Sequence, residues 1–195
     1  YTLSLHDALP ISMSEKSVGL IEMSSIAAGF AVADTMLKAG NVRLYLSRSI
    51  CSGKYMILVA GDASAVASAV AAGAEAAHGC LIDKFVLPSI HPDVLTALGR
   101  TSVAVPTGAL GVLESFNVAT LIRAADAVAK SAAVQLLDVR LAMALGGKAF
   151  VTLTGDVASV QTAVEAGRRV IADAGMLVNA VVIPRPHPDV YREIL

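Results

Sequence analysis

The chain is short of most residues that mark a specialised environment. In 195 residues it has no tryptophan, four tyrosines, four phenylalanines and only two cysteines, and 16% of its residues are charged. Two cysteines, Cys51 and Cys80, cannot build a disulfide framework. Fifteen basic against sixteen acidic residues leave a net charge of −1 with no basic run, so no polyanion-binding surface is expected and nucleic acid is not a partner. No stretch of about 18 residues stays free of charged or strongly polar side chains, which argues against a membrane-spanning helix and a membrane partner. No basic segment followed by an apolar core opens the chain, so no secretory signal is legible and the reducing cytoplasm is the expected compartment. What is abundant is apolar: 55% of residues, mainly Ala, Val, Leu and Ile, which excludes disorder in a chain long enough for a real core. Residues 1–12, YTLSLHDALPIS, begin without Met, whereas Met13 opens MSEKSVGLIE. They read as a non-native leader outside the fold.

Comparing the chain with itself reveals a repeat. Gly19, Glu22, Ala27, Ala33, Asp34, Lys38, Val42, Leu44 and Arg48 recur 92 positions later, as Gly111, Glu114, Ala119, Ala125, Asp126, Lys130, Val134, Leu136 and Arg140. The offset then becomes 94 for Gly53-Lys54 and Gly61-Asp62, and 96 for Pro88 and His91-Pro92-Asp93-Val94. Two fused copies of one small domain follow, over residues 17–98 and 109–195, joined by a linker at 99–108.

Each copy has one internal rhythm. Residues 18–23 form a short apolar run of strand length. Ile26, Phe30, Ala33 and Leu37 then recur at helical spacing on one face, as do Val118, Ile122, Ala125 and Ala129. Asp34 and Lys38, like Asp126 and Lys130, stand four apart in the order that favours an ion pair. Residues 42–49 and 55–60 read as strands around a Gly-containing loop. Asp62 and Asp156 are natural N-caps for a second helix, and residues 81–87 and 177–183 close each copy with a strand. The order is βαββαβ, so the fold class is α/β (α+β): two tandem ferredoxin-like domains.

The segments VGLIEMSSIAAGFAVADTMLKAGNV, GKYMILVAGDASAVASAV and IPRPH resemble bacterial microcompartment shell proteins, and the duplication resembles their tandem-domain class. That resemblance implies a pseudohexameric homotrimer, a closed ring, that tiles a shell in the bacterial cytoplasm together with other shell proteins. It implies tile-edge positions at Lys38, Lys130 and Arg185; the first copy reads Pro88-Ser89-Ile90-His91 where the second carries the arginine. It also places a central pore where the copies differ most. Ser49, Ile50, Cys51, Ser52 and Gly53 would line it from the first copy, and Ala144, Leu145 and Gly146 from the longer second loop.

Iron–sulfur cubanes take four thiolates, and one chain offers two cysteines at unrelated places. Three-fold symmetry supplies Cys51 three times. The loop Ser49-Ile50-Cys51-Ser52-Gly53-Lys54 is similar to that of the iron–sulfur tandem shell proteins of propanediol-utilisation compartments, which implies a 4Fe–4S cluster ligated by Cys51 and electron transfer across the shell, with a redox enzyme as a further partner. Ser52 departs from the proline expected there. A metal-free pore for metabolites, and a ferredoxin-like regulatory module that binds a small ligand, are the alternatives. Cys80 reads as a buried structural thiol.

Other motifs fail on inspection. Gly53-Lys54 is followed by Tyr55 and Gly147-Lys148 by Ala149, so neither completes a phosphate-binding loop. His91-Pro92-Asp93 recurs at 187–189 as a turn after a strand. Glu22 and Glu114, repeated within a strand, read as hydrogen-bonded structural groups. No catalytic set has a local signature, so no enzyme is expected.

Overall fold

In the computed structural model the described residues are 16–99, 102, 105, 107–142 and 146–192. The leader 1–12 and the loop residues Ala144 and Leu145 lie outside them. The first copy runs β1 (Ser17–Met23), α1 (Ile26–Ala39), β2 (Val42–Ile50), β3 (Lys54–Gly61), α2 (Ala63–Ala76), β4 (Leu81–Leu87) and α3 (Pro92–Leu98). The second runs β5 (Ala109–Ser115), α4 (Val118–Ser131), β6 (Gln135–Leu141), β7 (Ala149–Gly155), α5 (Val157–Asp173), β8 (Leu177–Ile183) and α6 (Pro188–Arg192). The two sheets have the same antiparallel order, β2-β3-β1-β4 and β6-β7-β5-β8, so the βαββαβ reading holds.

Caps and small residues explain the local choices. Ser25 and Asn117 accept from the amides of Ala28 and Thr120 and start α1 and α4; Asp156 accepts from Ser159 and starts α5. Asp62 holds the same position before α2 without a side-chain capping bond. His91 and His187 each accept on Nδ1 from the Asp amide two residues on, so the repeated His-Pro-Asp turns are N-terminal turns of α3 and α6.

Strand alternation sorts β1 and β3 into two layers. Ile21, Met23, Tyr55, Ile57 and Val59 face α1 and α2, packing on Val32, Met36, Val66 and Ala69. Val18, Leu20, Met56 and Leu58 face the other way, into a cluster that also holds Val94, Leu95 and Leu98 of α3. This second cluster continues into Leu113, Leu121, Ile122 and Leu136, so the two copies share one core. Tyr45 fastens α3 from β2: its hydroxyl donates to the Leu95 carbonyl at 2.6 Å, and burial pushes its pKa up against a smaller opposing pull from Arg43.

One compensating exchange shows the copies diverging at constant volume. A Cβ on Gly29 would meet the Tyr55 ring at 2.3 Å, so α1 approaches β3 only because residue 29 has none. At the equivalent positions the second copy carries Leu121 and Ala149, both fully buried. The bulk has moved from strand to helix.

The expected apolar face of the first helix behaves differently in the two copies. In α4, Val118, Ile122 and Ala125 are fully buried. In α1 the buried residues are Gly29, Val32, Ala33 and Met36, while Ile26, Phe30 and Leu37 are exposed, Phe30 to 64%. The difference is a neighbour: α4 packs against β4, β1 and α3 of the first copy. Among the described residues α1 packs on α2 and on strands of its own sheet, with no second-copy element in that part.

Candidate functional site

The short connection after β2 is a 3-10 turn, Cys51–Gly53, and Lys54 opens the next strand. Ser52 sits at φ 66° and ψ 27°, and Gly53 at φ 69°. Proline, whose ring fixes φ near −65°, could not adopt the Ser52 conformation. The departure seen in the sequence therefore goes with a turn of its own geometry. Cys51 is half-buried. Its amide donates to the Ala142 carbonyl at 2.8 Å, and the Ala142 amide donates to Lys148 at 3.0 Å. Ala142 is itself left-handed, at φ 46°. The loops of the two copies thus meet through a hydrogen bond whose acceptor, Ala142, and the residue after its donor, Ser52, both take conformations that L side chains rarely adopt.

Two ion pairs flank this contact. Lys54 Nζ lies 2.9 Å from Glu22 Oε1, with the Glu22 side chain only 1% exposed. Lys148 Nζ lies 3.1 Å from Glu114 Oε1, and Glu114 is 32% exposed. Glu22 and Glu114 are therefore structural partners of the lysines that end the two loops. The Oε2 atom of Glu22 is buried with no hydrogen-bond partner among the described residues.

The expected lining divides. Ser49, Ser52, Gly53 and Gly146 are exposed around the contact. Ile50 stands apart from them: strand alternation at the end of β2 turns its side chain into the shared core, where it is 6% exposed. Among the described residues no chain by itself gathers three His, Cys, Asp or Glu side chains able to hold a metal. Cys80 is half-buried rather than buried, and its carbonyl accepts from the Ser24 amide at 2.8 Å.

Of the expected edge residues, Lys130 falls at the seam between copies. Lys130 pairs with Asp126 at 2.6 Å and also donates to the Ser89 carbonyl of the first copy's terminal turn. Asp126 accepts from the His91 amide at 2.7 Å. The Lys38–Asp34 pair has the same internal spacing, with both side chains exposed, and Arg185, the counterpart of Ser89, is exposed as well. Sequence reasoning found the Asp–Lys pairs but missed their second use. The recurrence of Asp34 with Lys38 and of His91-Pro92-Asp93 was the available signal. Ala142 carried none, because its role is made by its carbonyl.

A cleft of about 410 Å³ lies between α3, the linker and β6, lined by Asp93, Thr96, Ser102, Val105, Thr107, Gln135 and Leu136. No helix among the described residues is long and apolar enough to cross a membrane.

Comparison with known proteins adds the family. The BMC domain model matches twice, at residues 17–90 and 109–186. The bacterial microcompartment shell protein PduT of Citrobacter freundii is 38% identical over 92% of this chain and 98% of its own length. The carboxysome assembly protein CcmO of Synechocystis is 31% identical over 88% of this chain and 62% of its own length. A crystal structure of a microcompartment protein from Desulfitobacterium hafniense superposes with a TM-score of 0.86 at 48% identity, covering 91% of this chain and 99% of that one.

Proposed function

The chain belongs to the BMC-domain family, and we propose that it is a structural tile of a bacterial microcompartment shell, a homotrimer whose six domains close into a pseudohexagonal ring. The observation that carries this reading is an interface made once within the chain and left open at both ends. Ile122 and Leu136 of the second copy are covered, at 0% and 2% exposure, by the first copy. Their counterparts Phe30 and Leu44 are 64% and 39% exposed. The covering half is also present twice: Val94 of α3 is fully buried, and its counterpart Val190 of α6 is 41% exposed. A head-to-tail surface of this kind generates either a ring or an open filament. Quasi-equivalence of the two copies favours the ring, with three chains completing six modules.

Repetition of the internal seam specifies the contacts between chains. By that repetition Asp34 would accept from the amide equivalent to that of His91, and Lys38 would donate to the carbonyl equivalent to that of Ser89, both on a second copy of the chain. PduT is by name a shell protein and CcmO an assembly protein, and the role proposed here is structural, in contact with other shell proteins. The same comparisons weigh against a small-ligand regulatory module. Sedimentation tests the assembly. The wild type should run at about three times 19.9 kDa, and Phe30→Asp should run as a folded monomer. A wild-type monomer at micromolar concentration overturns the ring.

Within that ring Cys51 recurs once per chain near the axis, and the donor chemistry fits a 4Fe–4S cluster: three thiolates from three chains, with water or another ligand completing the set. Support comes from the thiol's half-exposed position on a turn whose amide is already fixed by Ala142. Such a cluster would supply one-electron transfer across the shell to a redox enzyme on either side. In this arrangement Cys51 holds the metal, Ala142 fixes its backbone, and exposed Ser49 and Ser52 surround it with polar groups. Anaerobic iron reconstitution should give a brown trimer with about four irons, and Cys51→Ala a colourless trimer. A wild-type trimer that stays colourless and iron-free favours the metal-free passage.

A further inference from the structure

We propose that the Glu22–Lys54 ion pair is the positioning device for Cys51, a reading that rests on the role of Cys51 as ligand. Lys54 is the residue immediately after the Cys51–Gly53 turn, so its position sets where the turn closes. Its ammonium is held 2.9 Å from Glu22, on the central strand β1, whose neighbours β3 and β4 pair with it on both sides. The turn is therefore tied at one end to the most enclosed strand of the sheet. At the other end the Cys51 amide is tied to Ala142. Two residues, Ser52 and Gly53, lie between the two anchors, and both are left-handed, a conformation that a free serine would avoid.

Stability alone gives little reason to keep such a pair. Glu22 is 1% exposed, and one of its carboxylate oxygens is buried without a hydrogen-bond partner among the described residues. Burying a charge with half its lone pairs unmet costs free energy that one lysine does not fully return. Well-packed apolar residues of similar volume often do as well or better in that setting. The sheet accepts such a swap nearby, where Asp138 and Thr152 in the second copy replace Leu46 and Leu58 in the first. What the pair supplies is a fixed geometry at the base of the turn. The second copy serves as an internal control. Its Glu114–Lys148 pair closes a longer loop with no cysteine and is open to solvent, where screening weakens it.

The test uses the assembled protein and reads Cys51 directly. Iodoacetamide modification of Cys51 is followed by peptide mass spectrometry, with Cys80 in the same molecule as reference. Glu22→Gln and Lys54→Met should each speed Cys51 modification about tenfold, the local opening expected when one charge-assisted bond is lost, and leave Cys80 unchanged. Lys54→Arg should restore a rate close to wild type, and Glu114→Gln should change it little. In reconstituted protein the same two variants should lower iron per trimer and shift the midpoint potential. An unchanged Cys51 rate in Glu22→Gln, or equal acceleration at Cys80, overturns the proposal. Should Glu22→Gln fail to fold, Lys54→Met, altering the more exposed partner, decides it. A wild type that binds no iron overturns the ligand reading, and the modification rates still decide the positioning.

Discussion

The amide of Cys51 donates to the carbonyl of Ala142 at 2.8 Å, across a separation of 91 residues, and this bond joins the two loops that the repeat places at equivalent positions. The residue after the cysteine and the residue that accepts are both left-handed, at φ 66° and 46°. The pairing is therefore held against local preference on both sides.

Substitutions at Ser52 should separate the two effects. Ser52→Gly removes the left-handed penalty and should stabilise the protein by about 1 kcal/mol. Ser52→Pro cannot take a positive φ, so the turn must rearrange and the Cys51 amide lose its acceptor. Thermal melts and the Cys51 modification rate should move in opposite directions for the two variants. A Ser52→Pro protein with wild-type Cys51 reactivity would count against the geometry described.

Equivalent carboxylates should answer in different measurements. Asp126 accepts from His91 within one chain, so Asp126→Ala should cost about 1–3 kcal/mol at any protein concentration. Asp34 is exposed and proposed to meet the partner subunit, so Asp34→Ala should leave a diluted monomer unchanged and weaken the trimer. Melting temperature against concentration distinguishes them. Identical, concentration-independent losses would argue against the repeated seam.

The exchange at Gly29 and Tyr55 invites a double-mutant cycle. Gly29→Leu should overpack against the Tyr55 ring and cost about 1–3 kcal/mol or more. Tyr55→Ala should leave a cavity and cost about 3 kcal/mol or more. Combined, they reproduce the Leu121/Ala149 pair of the second copy, and the cost should fall well below the sum. Denaturant midpoints measure it, and strict additivity would contradict the packing.

Acid should expose one surface cluster. Hydrogen bonds from Arg168 and then Arg169 lower the Glu165 pKa from its ordinary 4.5 to about 2. A depressed folded-state pKa stabilises above the unfolded value, and that contribution fades as pH falls from about 4.5 towards about 2. Glu165→Gln should therefore have a flatter acid limb, with the difference smaller at high salt because the cluster is solvent-exposed. Urea midpoints from neutral to acid pH check this, and parallel curves for the two proteins would exclude it.

Much of the fold was written in local pattern. The final strands of each copy, Leu81–Leu87 and Leu177–Ile183, were legible because short, largely apolar segments lie between a Gly-containing turn and a proline, with Asp83-Lys84 and Asn179 as their polar interruptions. The helical stripe read in the first copy, Ile26, Phe30, Ala33 and Leu37, turns only Ala33 inward; the three large residues face outward. Periodicity reports that a surface is covered by something apolar, and a core and a subunit interface give the same signal. Ile50 turns its side chain away from the loop surface for a related reason. A loop resemblance carries positions, while the pleat of β2 decides which side chains turn inward.

The sequence by itself determined the duplication, the βαββαβ order of each copy and the family, because each is a property of spacing and residue type along the chain. Only the tertiary structure decided which of two equivalent faces is covered. It also decided that a peptide carbonyl at Ala142, which carries no sequence signal, anchors Cys51. Both depend on what another part of the chain brings to within a few ångströms, and the two copies, alike in pattern, have different neighbours.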